Sequence, residues 1–87
     1  SRKTLLSEYD SAYVGALEAE RGALALDEYA RLAEAAERGE VSGTLAEARL
    51  PEGAWPHIHR VWIGRMVKDV QTGKLVRWAI DARRAAG

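Results

Sequence analysis

One predicted helix carries a row of residues that could bind phosphate groups. His57, Arg60, Gly64 and Lys68 recur at spacings of three and four, which places them on one helix face, with Arg65 at its edge. Arg and Lys suit phosphate oxygens, and a glycine in the row would allow a phosphate backbone to approach closely. The alternative is a solvated polar face in which the glycine has no role. The expected phosphate contacts, including two near the end of the chain, are His57, Arg60, Gly64, Arg65, Lys68, Arg83 and Arg84.

The charge of the chain is divided between two parts, although the formal net charge is zero. Residues 1–52 hold six basic and eleven acidic side chains, whereas residues 53–87 hold seven basic and two acidic ones. The second part also contains all three Trp and both His. This asymmetry indicates either an end that faces nucleic acid or two halves that dock against each other.

The sequence shows no group of side chains arranged for catalysis or metal binding. Without cysteine, the chain can form no disulfide and has no thiolate ligand or thiol nucleophile. His57 and His59 would point about 200° apart on a helix, so they cannot share a metal ion. The Gly73-Lys74 pair lacks the earlier glycine and the following Ser or Thr of a phosphate-binding loop. We therefore expect a protein that is not an enzyme and needs neither a metal nor a cofactor.

Apolar residues of the first part form a seam with a seven-residue repeat. They recur from Leu5 to Ala33 at alternating spacings of four and three, which is typical of a helix that lies along a partner. The seam is mostly alanine, so a partner backbone could come close, although each contact would bury little area. The predicted oligomerisation residues are Leu5, Tyr9, Ala12, Ala16, Ala19, Ala23, Leu26 and Ala30.

Residues 4–38 could form one long helix or an antiparallel pair of helices. We prefer two helices hinged at residues 22–25, because Arg21-Gly22 has the order typical of a helix end. Asp27 could then cap the second helix. Gly39 ends this region, again directly after a basic residue.

Three further helices are predicted in the second part. Thr44 and Glu47 have the spacing of a capping box, so a short helix is expected at residues 45–49, after a connection at residues 41–43. The next helix begins at Trp55 and ends at Thr72-Gly73, and the last covers residues 74–86. A β-hairpin at residues 67–80 is the alternative to this arrangement. The apolar face of the helix that begins at Trp55 comprises Trp55, Ile58, Trp62, Ile63, Met66, Val67 and Val70.

Five apolar residues stand at the offsets of a helix-turn-helix unit, namely Leu45, Ala48, Leu50, Trp55 and Ile58. Together with Gly39-Glu40-Val41-Ser42, this segment resembles the small helix-turn-helix proteins of phages and mobile elements, including small terminase subunits. The resemblance covers about a quarter of the chain and implies DNA binding by the second helix of the unit. Two residues depart from the pattern, because Arg49 replaces the usual turn glycine and Pro56 lies inside the expected recognition helix.

Together these observations predict an all-α fold, with residues 1–87 as a single domain and a small bundle of four to five helices. Residues 1–39 would form the helical oligomerisation segment and residues 44–87 the basic, helix-turn-helix-like segment. The expected function is non-enzymatic DNA binding by a homo-oligomer, as in a phage-type packaging or regulatory factor. The alternative is an α-helical interaction module, such as an oligomeric adaptor or an antitoxin-like inhibitor, that binds an acidic protein. Without a long apolar run or a leader segment, we expect a cytoplasmic protein that does not contact membranes.

Overall fold

Five α-helices, joined by short turns, make up residues 2–87. The computed structural model describes these residues, with side chains from residue 5 onward. The helices are α1 (Arg2–Arg21), α2 (Leu26–Glu37), α3 (Val41–Glu47), α4 (Trp55–Lys68) and α5 (Val70–Ala86), with a 3-10 helix at Glu52–Ala54. No strand occurs in residues 2–87, so the predicted all-α bundle is confirmed and the hairpin at residues 67–80 is not supported. None of these helices is both long enough and apolar enough to cross a bilayer.

The chain turns between α1 and α2, as the preferred two-helix prediction requires. Gly22 has a φ of +103°, a conformation that is open to glycine and unfavourable for other residues. Ala25 is the N-cap of α2, and its backbone N–H donates to the Glu28 side chain at 3.1 Å. The predicted capping role of Asp27 is therefore wrong, because Asp27 already lies in the first turn of the helix.

The third helix begins earlier than its sequence signals suggest. Residues 41–43 are helical and do not form a connection. Thr44 lies inside α3, where its hydroxyl donates to the carbonyl of Glu40 at 3.3 Å, so no capping box forms with Glu47. The connection from α3 to α4 covers residues 48–54, which is longer than the turn of about three or four residues typical of a helix-turn-helix.

Left-handed backbone follows both α2 and α3. Gly39, at a φ of +73°, ends α2 as predicted. Arg49, at a φ of +61°, adopts the same kind of conformation after α3. Arg49 therefore has the backbone conformation usually supplied by the turn glycine that it replaces, at a steric cost of about 1–2 kcal/mol.

The fourth and fifth helices meet at Asp69. Its carboxylate accepts hydrogen bonds from the backbone N–H of Gln71 at 3.1 Å and from the hydroxyl of Thr72 at 2.8 Å. A short acidic side chain in this position satisfies free N–H groups at the start of a helix. The predicted helix end at Thr72-Gly73 is therefore wrong, and both residues belong to α5.

The core lies between α2, α4 and α5 and is covered by α1 and α3. Trp62 of α4 stacks on Tyr29 of α2, with ring centroids 4.9 Å apart. Because α4 ends at Lys68, Val67 and Val70 lie at the corner between two helices and remain exposed, so the predicted apolar face is only partly buried. The larger buried side chains are Val14, Leu24, Tyr29, Leu32, Leu45, Leu50, Ile58, Trp62 and Val76.

Candidate functional site

Asp10 of α1 binds two members of the predicted phosphate row. Its side chain is 3 % exposed, and its carboxylate accepts hydrogen bonds from Nε of Arg60 at 2.6 Å and from Nη2 at 2.9 Å. His57 donates from Nδ1 to the same carboxylate at 2.8 Å and stacks on Tyr13, with ring centroids 4.1 Å apart. The hydrogen bonds from Arg60, assisted by His57, lower the pKa of Asp10 from 3.8 to about 2 against the opposing effect of burial.

Sequence reasoning missed Asp10, although a signal was present. Asp10 shares a face of α1 with Leu6, Tyr13, Val14 and Leu17. An acidic residue within an apolar face is rarely buried unless it is paired with a base. The carboxylate therefore pointed to a basic partner elsewhere in the chain, but nothing in the local pattern identified Arg60 as that partner.

The other part of the row lines a cleft between α1 and the C-terminal half of α4. Gly64, Arg65 and Lys68 contribute to a cavity of about 320 Å³. Within residues 5–87, no acidic side chain forms an ion pair with Arg65 or Lys68. The guanidinium of Arg65 lies 4.8 Å from the ring centre of Trp62, so this base is partly ordered by a cation–π contact. The remaining residues that line the cleft are Leu6, Ser7, Asp10, Ser11, Arg60 and Val61.

The two predicted phosphate contacts near the end of the chain do not line this cleft. Arg84 of α5 donates from Nε to Glu37 of α2 at 3.0 Å and from Nη1 to Asp81 at 2.9 Å. The bonds to Glu37 connect α5 to α2 and lower the pKa of Glu37, whereas the bond to Asp81 lies within α5. Arg83 forms no ion pair within the described side chains and is half-buried on α5. The structure therefore brings Arg60, Gly64, Arg65 and Lys68 to one cleft but leaves Arg83 and Arg84 outside it.

The α1 part of the predicted oligomerisation seam lies on the outside of the bundle. Leu5 is 67 % exposed and Tyr9 is 60 % exposed, and the four alanines that continue the seam are exposed as well. The opposite face of α1 packs on α4 and buries Asp10 and Val14. We define the α1 seam as the exposed residues Leu5, Tyr9, Ala12, Ala16 and Ala19, because Ala23, although exposed, lies beyond the end of α1.

The seam does not continue into α2, contrary to the prediction. The turn at Gly22 changes the direction of the chain, so the residues of the repeat that lie in α2 no longer share a face with those of α1. Leu26 is half-buried and Ala30 is completely buried in the core. These two residues therefore cannot contribute to an oligomer interface formed by α1.

A second, more apolar cavity of about 610 Å³ lies between α2, α4 and α5. Its wall includes Tyr29, Trp55 and His59, and the ring centroids of Trp55 and His59 are 4.9 Å apart. The hydroxyl of Tyr29 lies 3.0 Å from Nδ1 of His59. Burial raises the pKa of Tyr29 to about 12, and burial and the charge of Arg60 lower the pKa of His59, so both groups favour their neutral forms at pH 7. The buried Tyr29 hydroxyl thus helps to hold the His59 ring against the aromatic wall.

Within the described residues, no group of three or more His, Asp or Glu side chains is placed to hold a metal ion. Comparison of the chain with known protein families, with curated proteins and with solved structures gave no match. The function is therefore argued from the α1 seam and from the basic cleft between α1 and α4.

Proposed function

We propose that the protein is an α-helical interaction module that self-associates through the α1 seam. The observation that carries this proposal is the exposure of a regular apolar seam on the outer face of α1, where Tyr9 remains 60 % exposed although its ring also contacts His57. A four-three spacing is the pattern by which one helix packs along another. Within α1, the seam follows this pattern from Leu5 to Ala19, over about 21 Å of helix.

The partner that best fits the α1 seam is the α1 seam of a second copy of the chain, packed in the antiparallel orientation. The two large side chains, Leu5 and Tyr9, lie towards one end of α1, and the alanines lie towards the other. In a parallel pair, Leu5 and Tyr9 would meet their own copies and hold the alanine ends apart. In an antiparallel pair, each large side chain faces an alanine, so the two helices keep a constant separation and their side chains interdigitate.

Sedimentation equilibrium of the wild type and two glutamate variants tests this proposal. Ala16→Glu places a charge within the seam, whereas Ala46→Glu makes the same change at an exposed position of α3. We expect a dimer for the wild type and for Ala46→Glu, and a monomer of unchanged helical content for Ala16→Glu, because an unpaired charge is costly in a close helix interface. A monomeric wild type at high micromolar concentration would contradict self-association, and so would a dimeric Ala16→Glu variant.

DNA binding is a second candidate function, as in a packaging or regulatory factor of the phage type. Its support is that Arg65 and Lys68 line the same cleft as Gly64 and remain without an ion pair in the described residues. Fewer basic side chains are available to bind DNA than the sequence suggested. Asp10 already binds Nδ1 of His57 and both Nε and Nη2 of Arg60, so contacts from these nitrogens to DNA would have to replace existing interactions. An acidic protein could use the same bases, by the same charge complementarity.

Titration with a mixed-sequence DNA duplex at low salt tests this second candidate. We expect the double variant Arg65→Ala/Lys68→Ala to bind more weakly, with a slope of log affinity against log salt that is smaller by about two units, because each lost phosphate contact releases about one counterion fewer. A Lys74→Ala variant removes an exposed base that does not line the cleft and is the control. No binding of the wild type at tens of micromolar duplex would exclude DNA as the ligand and leave the interaction module.

A further inference from the structure

Gly64 lies in the middle of α4, where the fold has no evident need for a glycine. A glycine in a helix interior costs about 1 kcal/mol of stability relative to alanine. The φ of Gly64 is not positive, and a Cβ atom built on it would meet no neighbouring atom within 4 Å. Neither backbone conformation nor packing therefore requires glycine here. Close approach of a ligand to the helix is a further reason for glycine at such a position.

The cleft beside Gly64 is positively charged. Three bases and one acid line it, and the acid, Asp10, is already neutralised by the ion pair with Arg60. Arg65 and Lys68 thus supply positive charge that no described acidic side chain balances with an ion pair. An anion that enters the cleft would meet these two charges without first breaking an existing ion pair.

The opposite wall of the cleft adds neutral hydrogen-bond donors. Ser7 and Ser11 of α1 are four residues apart, so they lie on one helix face, and both line the cleft. A serine hydroxyl can donate one hydrogen bond to an anionic oxygen. The cleft volume of about 320 Å³ is about ten times the volume of one water molecule in the liquid, which leaves room for a tetrahedral oxyanion together with some of its water.

We infer that the cleft between α1 and α4 binds a single phosphate group. Arg65 and Lys68 pair with its charge, Ser7 and Ser11 donate hydrogen bonds from α1, and Gly64 leaves the space that the phosphate oxygens occupy. The group can belong to free phosphate, to a phosphomonoester or to the backbone of a nucleic acid. This inference shares its bases with the DNA candidate but requires no polymer.

Titration of the isotopically labelled protein with inorganic phosphate, followed by NMR at constant ionic strength against chloride, tests the inference. We expect saturable shifts of the backbone amides of Ser7, Ser11, Gly64 and Arg65. Gly64→Leu fills the cleft and should weaken phosphate binding at least tenfold. Gly15→Leu, at an open position of α1 that does not line the cleft, should leave phosphate binding unchanged. Thermal melting of both variants shows whether each remains folded.

Titrations with three ligands distinguish the possible sources of the phosphate group. The ligands are inorganic phosphate, glycerol phosphate and a short mixed-sequence DNA duplex. Saturable binding of either small phosphate that is weakened by both Gly64→Leu and Arg65→Ala/Lys68→Ala supports the inference, whether or not the duplex binds. Binding of the duplex alone would overturn the single-phosphate site while leaving the DNA candidate intact. Phosphate binding that neither set of substitutions weakens would place the anion elsewhere and would also overturn the inference.

Discussion

Asp10 and Arg60 form an ion pair whose two members differ in their exposure to water. The Asp10 side chain is 3 % exposed, whereas the Arg60 side chain is 42 % exposed, and Arg60 Nε lies 2.6 Å from Asp10 Oδ2. The pair joins α1 to α4 at the edge of the basic cleft. Removing Arg60 leaves a buried carboxylate without its main partner, while removing Asp10 leaves a guanidinium that water can reach. The two truncations should therefore have unequal effects.

Arg60→Ala should lower the free energy of unfolding by about 2–4 kcal/mol, and Asp10→Ala by about 1–2 kcal/mol. The double variant should be close to Asp10→Ala, because Arg60 stabilises the fold mainly through this carboxylate. Urea denaturation of the wild type, the two single variants and the double variant at pH 7 measures the four unfolding free energies of this double-mutant cycle. Equal losses from the single variants, adding up in the double variant, would show that the two residues act independently.

The acid stability of the protein should depend on Asp10. The pKa of Asp10 is about 2 in the folded protein, against its ordinary value of 3.8, so the unfolded chain takes up the proton at a higher pH. The contribution of Asp10 is therefore fully present above 3.8 and is lost as the pH falls from 3.8 to about 2. Asp10→Asn should reduce the fall in unfolding free energy over this range. Glu20→Gln, at an exposed position of α1, should leave it unchanged.

Trp62 and Arg65 should differ strongly in their effect on stability, although they are neighbours on α4. Trp62 is buried against Tyr29, so Trp62→Ala should cost about 3–5 kcal/mol. Arg65 is exposed and contacts the Trp62 ring through its guanidinium, so Arg65→Ala should cost about 0.5–1 kcal/mol. Thermal unfolding of both variants tests the assignment of the buried and exposed faces of α4. Comparable losses of stability in the two variants would contradict this assignment.

Replacing Arg49 with glycine should stabilise the protein. The positive φ of Arg49 is unfavourable for a residue with a Cβ atom, and glycine relieves this at the expense of a more flexible unfolded chain. We expect a net gain of about 0.5–1 kcal/mol for Arg49→Gly. Arg49→Ala removes the same charge but keeps the Cβ atom, so it should bring no gain. If the two variants show equal unfolding free energies by urea denaturation, the backbone at this position is not strained.

Local signals in the sequence were sufficient to predict an all-α fold of four to five helices. Gly22 and Gly39 mark helix ends because the turns there need left-handed backbone, and the apolar period from Trp55 predicted α4. The predicted boundaries of the helices were less accurate where two local signals for a helix start or end lay close together. Asp69 caps α5, but the sequence predicts a helix end at the later Thr72-Gly73 pair, because the capping bonds of Asp69 form only once the chain has turned.

The partners of each helix face were decided only by the tertiary structure. Two faces of α1 are apolar enough to pack, and periodicity alone did not show that the face around Asp10 and Val14 turns inward while the α1 seam stays outside. In the same way, the sequence showed the basic row of α4. It did not show that Arg60 forms an ion pair while Arg65 and Lys68 line a cleft beside Gly64. Asp10 and Arg60 are 50 residues apart, and no local pattern joins them. They pair because the fold buries the Asp10 carboxylate, and a buried carboxylate needs a basic partner, which the fold supplies from α4.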